Sequence, residues 1–259
     1  MQQSTTMTLP STTAPAERPP RVWGFWGTGA WALAAFLFWA AAQVATVVLL
    51  LALRTDLGIE DWEFAKLNEA TVITVASVIA APFEMAVIWL AVRLARTPLR
   101  DYLALVRFSR RDFIIGFLLL TALGLIYDGT VWLAGRDVIP TVVIGMYTSA
   151  RDAGMLVPFL FAIAVLAPVT EEIVFRGFMF RGWSQSWLGI TGTILLTSAL
   201  WALLHVQYDW DGVALIFGIG LVFGWLRWRS GSASLTILLH MIVNLSAMAQ
   251  TAVKVEWLS

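Results

Sequence analysis

The sequence has little charge and no cysteine. Only 13% of its 259 residues are charged, against about 25% in a typical soluble domain. The absence of cysteine excludes disulfides, thiolate metal sites and a cysteine nucleophile. The formal net charge is zero, so nothing in the composition favours binding to nucleic acid. Lysine occurs only at Lys66 and Lys254, the other basic residues being arginine, which we read as a sign of a GC-rich bacterial genome.

Apolar residues dominate what is present. They make up 59% of the chain, and the mean hydropathy is +0.78. A bilayer is crossed by about 20 apolar residues, and the segments that approach this length are 31–53, 70–92, 113–133, 156–180, 190–206, 213–225 and 235–253. We predict an all-α bundle of about seven transmembrane spans (six to eight), forming one membrane domain over residues 23–259. Residues 1–22 are rich in Ser, Thr and Pro and are predicted to be a disordered tail.

Arginine predicts the orientation of these spans, because basic residues concentrate in cytoplasmic loops. With the loop between the second and third segments in the cytoplasm, the inner side carries Arg18, Arg21, Arg93, Arg96, Arg100, Arg107, Arg110, Arg111, Arg181, Arg227 and Arg229. The outer side carries Arg54, Lys66, Arg136, Arg151 and Lys254. We therefore expect a multi-pass protein of a cell membrane, the inner membrane if the host is bacterial, with a cytoplasmic N-terminus.

The fourth segment contains charges that a membrane span normally excludes. Its stretch "LFAIAVLAPVTEEIVFRGFMF" holds Glu171, Glu172 and Arg176, although a charge at the bilayer centre costs at least ~2.5–3.5 kcal/mol. Residues four apart share a helix face, so Glu172 and Arg176 are predicted to form an ion pair. Glu171 points elsewhere and is left without a local partner. An unpaired carboxylate held near fixed groups suits a general base.

The two histidines of the chain also lie in apolar segments. His240 and Asn244 are four positions apart and are expected to face one cavity. Trp201 precedes His205 by four positions and can pack against its ring. One glutamate, two histidines and an asparagine are sufficient for amide hydrolysis, since one pair can activate water while the other donates hydrogen bonds to the developing oxyanion.

Three further features of the apolar segments have a structural explanation. Glu84 and Asp128 are expected to make hydrogen bonds between helices, and the glycines of "GIGLVFG" in the sixth segment are expected to allow close helix packing. Helical rise places His205 and His240 at depths that differ by roughly 15 Å. For the two to meet, the fifth segment must begin later or tilt, or residues 183–189 must re-enter the membrane.

These residues resemble the motifs of the CPBP family, the group of intramembrane proteases that includes CAAX prenyl protease type 2 and the bacteriocin-immunity (Abi) proteins. The family pattern is Glu-Glu-x-x-x-Arg, Phe-x-x-x-His and His-x-x-x-Asn, matched in order by Glu171, Glu172 and Arg176, by Trp201 and His205, and by His240 and Asn244. Tryptophan stands where the family has phenylalanine. The resemblance covers residues 158–248, and the first three segments carry no motif.

The resemblance implies a glutamate-dependent endopeptidase with an intramembrane active-site cavity. The implied roles are water activation (Glu171, His205), an oxyanion hole (His240, Asn244) and support of the site (Glu172, Arg176). The implied substrate is a membrane-embedded or membrane-anchored peptide or protein. Three alternatives remain open at this stage. The first is a zinc-dependent protease with the metal held by His205, His240 and a glutamate, although we expect no cofactor. The second is a non-catalytic immunity or scaffold protein of the same fold. The third is an ion- or proton-coupled transporter.

Overall fold

The structure is a computed structural model that describes residues 21–56 and 69–258. Its helices are α1 (Phe25–Asp56), α2 (Glu69–Leu94), α3 (Leu99–Tyr102), α4 (Arg110–Leu133), α5 (Thr141–Asp152), α6 (Leu156–Ser184), α7 (Gly189–Leu203), α8 (Trp210–Ser230) and α9 (Ala233–Trp257). Within the described residues there is no strand, so the all-α prediction is confirmed. The predicted tail lies outside the described residues except for Arg21 and Val22.

Six of these helices (α1, α2, α4, α6, α8 and α9) are long and apolar enough to cross a membrane. Helix α7 is apolar but shorter, at 15 residues. Each predicted segment corresponds to one helix, and the bundle of six to eight spans is confirmed. The sixth segment, predicted as the short one, is the full-length α8, which has 21 residues. Helix α5 was not predicted, because its 12 residues include Thr, Ser, Arg and Asp and give no span-length apolar run.

The connections between the helices gather at two ends of the bundle. At the N-terminal end, the backbone N–H of Arg21 donates to Ala95 O at 3.0 Å, and that of Ala233 to Ala104 O at 2.9 Å. At the opposite, C-terminal end, ion pairs join helix termini and connections that are distant in sequence: Arg136–Asp211, Arg151–Glu256 and Lys254–Asp137. Counting the short α7, the helices that run between the two ends alternate in direction, so α6 and α8 run parallel with α7 antiparallel between them.

Tryptophans mark the two ends where a membrane would meet water. Side chains that are largely exposed there are Trp26 and Trp187 at the N-terminal end, and Trp132, Trp210 and Trp257 at the C-terminal end. Indoles concentrate at membrane interfaces, because the ring is apolar and its N–H is polar. Between these belts the surface presents apolar side chains such as Leu118 and Leu125. This protein is a multi-pass membrane protein.

Close packing of α7 on α8 depends on glycine. A Cβ at Gly220 would lie 2.9 Å from Ser198 Cβ, so a larger residue would push the two helices apart. The expected role of the glycines in "GIGLVFG" is therefore confirmed at this position. The close approach also leaves the Gly220 carbonyl accessible to Arg176, whose Nη2 donates to it at 3.3 Å.

Candidate active site

Helix α6 is irregular on both sides of the glutamate pair. Residues Ala162–Leu166 and Ile173–Met179 are π-helical, and Ala167–Glu172 between them is α-helical. In such π-segments each hydrogen bond spans one residue more than in an α-helix, and they occur often at functional sites. Glu171 and Glu172 are adjacent in the α-helical part, so their side chains project in different directions from the helix.

Glu172 lies at the centre of a fully buried charged group. Its Oε1 accepts from Arg176 Nη1 at 2.8 Å and from His240 Nδ1 at 3.1 Å. The side chains of Glu172 and Arg176 are both 0% exposed. The ion pair predicted from their spacing is confirmed. The contact with His240 was not predicted, since sequence spacing carries no information on which residue of another helix faces Glu172.

Glu171, by contrast, lines a cavity of about 650 Å³. His205, His240 and Asn244 line the same cavity, whereas Glu172 and Arg176 are not part of its wall. Its other walls are largely apolar and come from α1, α2, α5 and α8 as well as from the motif helices. The structure thus brings together the four side chains for which the sequence predicted hydrolytic roles; those roles stay predictions.

Trp201 contacts four of the six predicted site residues. Its indole N–H donates to Glu171 Oε2. Its ring meets the His205 and His240 rings edge-to-face, with centroids 5.3 and 5.2 Å away. The guanidinium carbon of Arg176 lies 4.8 Å from the centre of the indole. The sequence predicted only the packing on His205, and phenylalanine in this position could not donate to Glu171.

His205 lies beyond the end of α7 and not within it. The fifth segment was predicted to reach residue 206, but the helix ends at Leu203. The N–H of His205 donates to Ala202 O at 3.0 Å, and the Nδ1–H donates to Trp201 O at 2.9 Å. Carbonyls at a helix C-terminus lack intrahelical partners, so the histidine caps the helix with its own ring. The other ring nitrogen, Nε2, is left available to the cavity.

Trp201 contacts both histidines. Its indole touches the ring of His205 and the ring of His240, and both rings line one cavity, although helical rise predicted depths that differ by roughly 15 Å. Re-entry of residues 183–189 into the membrane was one alternative, and it stays a prediction. This stretch is a turn, closed by the N–H of Gly189 donating to Ser186 O at 3.2 Å. Helix α7 then begins directly at Gly189.

Asn244 is fixed by the irregularity of α6. Within the first π-segment the N–H of Ala167 donates to Ala162 O. The next carbonyl, that of Ile163, would accept from residue 168 in the same pattern, but proline has no N–H. Asn244 Nδ2 donates to this carbonyl instead, at 2.9 Å. An amide nitrogen carries two hydrogens, so the second N–H of Asn244 stays available to a ligand.

The hydrogen bonds of His240 decide what this ring can donate. An ionised carboxylate only accepts, so Glu172 receives the Nδ1–H of His240. In a neutral imidazole the other nitrogen, Nε2, is then an acceptor. His240 can therefore donate to an oxyanion only as the doubly protonated imidazolium.

Two cavity residues were missed or misinterpreted. Tyr208 lines the cavity with its ring 6.3 Å from that of His205; burial raises the pKa of the Tyr208 phenol and the charge on Glu171 raises it further, so the phenol stays a hydrogen-bond donor. Glu84 was predicted to make a hydrogen bond to another helix. Within the described residues it makes none and lines the cavity instead, so this prediction is wrong. Asp128 does interact with Gln250 of another helix, as expected.

The described residues contain no group of three or more His, Cys, Asp or Glu side chains arranged to hold a metal ion. The ring nitrogen of His240 nearest to a carboxylate is already bonded to Glu172, which in turn holds Arg176. Cofactor independence stays a prediction, and the chemistry available in the cavity is that of Glu171, the two imidazoles, the Asn244 amide and the Tyr208 phenol.

Comparison with known proteins gives the motif segment a family. Residues 153–246 match the Rce1-like family, described as type II CAAX prenyl endopeptidase Rce1-like. This segment is similar to the members of that family. It includes all six residues predicted for the site, so the resemblance recognised in the sequence is confirmed.

Part of the chain is also similar to a curated protein. This chain is 42% identical over 89 residues to an uncharacterized 24.3 kDa protein of Escherichia coli. The aligned part is 32% of this chain and 39% of the relative, so it spans about two fifths of that protein's length. No solved structure matches the chain.

Proposed function

We propose that this protein is an intramembrane endopeptidase that hydrolyses a peptide bond of a membrane-associated protein or peptide. The observation that carries the proposal is the convergence of Glu171, His205, His240 and Asn244 on one cavity within a bundle of membrane helices. A base, a second proton-accepting group and hydrogen-bond donors are the parts that amide hydrolysis requires. The volume of about 650 Å³ is typical of binding sites and leaves space for a short stretch of peptide.

Glu171 and His205 would activate the attacking water. The Glu171 carboxylate takes a proton from water as the oxygen attacks the carbonyl carbon, and it later returns that proton to the leaving amine. His205 can orient the same water through Nε2, because its Nδ1–H is held by the Trp201 carbonyl. The Trp201 indole occupies one oxygen of Glu171, which leaves the other to face the water. Trp201 is thus a positioning residue.

His240 and Asn244 would stabilise the negative oxygen of the tetrahedral intermediate. Asn244 contributes the N–H that is not bonded to Ile163, and His240 contributes Nε2–H in its imidazolium form. Glu172 supports this role by accepting from Nδ1, and Arg176 balances the charge of Glu172. Each such donor lowers the barrier only if its position is fixed before the reaction, and both are bonded to groups within the bundle.

No metal or other cofactor takes part in this proposal. We place the protein in the cell membrane, the inner membrane if the host is bacterial, with its N-terminus in the cytoplasm, as the arginine distribution predicts. Single cysteines can test the orientation without background, because the chain has none. A cysteine at Ser109 should resist an impermeant maleimide in intact cells, and one at Trp257 should react. The reverse pattern would overturn the orientation but not the chemistry.

The function is tested by comparing the peptides released in membranes that contain the wild type with those released by the Glu171→Ala variant. Mass spectrometry should find fragments that end at a common site in the wild-type sample alone. A purified-protein assay on the corresponding synthetic peptide then separates the alternatives. Binding without cleavage would favour a non-catalytic scaffold, and ion-dependent flux into vesicles would favour a transporter.

A further inference from the structure

The cavity contains a second carboxylate that the hydrolytic scheme does not use. Glu84 of α2 and Glu171 line the same cavity. It lies ten residues before the end of α2 at Leu94, and Glu171 lies thirteen before the end of α6 at Ser184. Both helices end at the N-terminal side of the bundle, so the two carboxylates lie at similar depths, about 15 and 20 Å from those ends. Helices α2 and α6 pack against each other.

Neither an ion pair nor a hydrogen bond holds Glu84 within the described residues. This distinguishes it from the other acidic side chains of the spans: Glu172 pairs with Arg176, Glu171 accepts from Trp201, and Asp128 interacts with Gln250. A carboxylate inside a membrane domain is costly unless it is paired, and an unpaired one indicates a functional role.

The cavity also has no lysine or arginine in its described lining. Arg176 lies behind the wall, bonded to Glu172. Aromatic rings complete the surroundings, with Phe36 and Trp39 of α1 stacked at 5.6 Å on the cavity wall. Carboxylates together with aromatic faces attract cations, and two carboxylates that have no lysine or arginine beside them in the cavity wall attract a cationic group.

We propose that Glu84 binds a cationic group of the substrate, the ammonium of a lysine or the guanidinium of an arginine close to the scissile bond. That the bound peptide is a substrate rests on the proposed function, but the cation-binding site does not. It assigns the substrate as an apolar, membrane-associated peptide with one basic residue beside the cleaved bond. In this arrangement the N-terminal helices, which carry no motif, determine specificity.

Binding of model peptides tests this directly and does not require turnover. The probes are apolar peptides with blocked termini that carry at one position lysine or its neutral analogue acetyl-lysine, and the position is moved along the peptide. We expect the wild-type protein in phosphatidylglycerol vesicles to bind the best lysine peptide about 10- to 100-fold more tightly than its acetylated form, the range for a hydrogen bond to a charged group. In Glu84→Gln this ratio should fall to about one, with the acetylated peptide bound as in the wild type.

Two variants secure the interpretation. Glu84→Asp keeps the charge and should keep a preference for lysine, whereas Asp128→Asn removes a carboxylate that does not line the cavity and should leave the ratio unchanged. Equal ratios in the wild type and Glu84→Gln, or no preference in the wild type, would overturn the proposal. Loss of the preference when phosphatidylethanolamine is added would assign the ammonium to a lipid headgroup and contradict the peptide assignment. If the lysine preference is present but no peptide is cleaved, the proposed hydrolase function fails and the cation site stands.

Discussion

The two sides of one turn of α6 differ in their surroundings: one side is buried in the bundle and the other faces the cavity. On one side Glu172 is fully buried and bonded to Arg176 and His240. On the other side Glu171 lines the cavity and has one hydrogen bond, to Trp201. The two residues are chemically identical and adjacent, so the difference comes entirely from what faces them. A membrane helix can therefore carry one carboxylate that holds the structure and one that is free to react.

The buried side is the one that stability depends on most. Arg176→Ala leaves Glu172 buried without its cation, and such a loss costs about 3–5 kcal/mol. Arg229→Ala is the matched control, because Arg229 pairs with Asp112 at 3.0 Å near the surface, where a pair contributes about 0–1 kcal/mol. Unfolding in detergent, followed by temperature or denaturant, measures both. Equal losses for the two variants would contradict the distinction between the two sides.

Substitutions on the cavity side should lower the rate of cleavage. Asn244→Ala removes one proposed oxyanion donor, and the rate of cleavage should fall about 10²–10³-fold. It also frees the Ile163 carbonyl, so unfolding must be measured alongside activity. Gln250→Ala, which changes another amide on the same helix and the same cavity, should retain activity. A rate for Asn244→Ala within a few-fold of the wild type would remove this residue from the scheme.

Trp201 contacts residues of both sides, and replacing it by phenylalanine removes the indole N–H while keeping an aromatic ring. Trp201→Phe restores the aromatic ring of the family motif but cannot donate to Glu171. A hydrogen bond to a charged group is worth about 1.5–3 kcal/mol, so we expect kcat to fall about 10- to 100-fold with KM nearly unchanged. Trp183→Phe is the control, since Trp183 is also buried and donates to a backbone carbonyl, that of Phe25. An equal loss of kcat in both variants would make the effect one of packing alone.

Chelation should have the smallest effect. The scheme uses only protein groups and water, so overnight treatment with EDTA or phenanthroline should leave most cleavage activity intact. Activity is assayed before and after, with zinc and calcium added back separately. Loss that zinc restores and calcium does not would favour a zinc site at His205, His240 and a glutamate.

Much of the scaffold could be predicted from the sequence, because membrane spans are defined by composition and length over short windows. The ion pair Glu172–Arg176 could also be predicted, since both residues lie on one helix and spacing alone sets their contact. The end of α7 could not be predicted, because the residues after Leu203 remain apolar and the helix is ended by the hydrogen bonds of His205.

Contacts between helices were the part that sequence patterns could not supply. The bond from His240 to Glu172 joins residues 68 positions apart, and the bond from Asn244 to Ile163 depends on a π-segment that places a free carbonyl before Pro168. Neither hydrogen bond is indicated by the sequence around the residues that form it. Glu84 was visible as a charge in a span, but only the packed bundle places it in the cavity with Glu171.

The most direct test of the account substitutes each glutamate of the pair by glutamine and measures cleavage and unfolding for both variants. Glu171→Gln keeps shape and polarity but removes the base, so the account predicts wild-type stability with no detectable cleavage. Glu172→Gln should lose stability, because the buried Arg176 loses its counter-charge. Cleavage by Glu171→Gln at the wild-type rate would contradict the central claim that Glu171 activates the water.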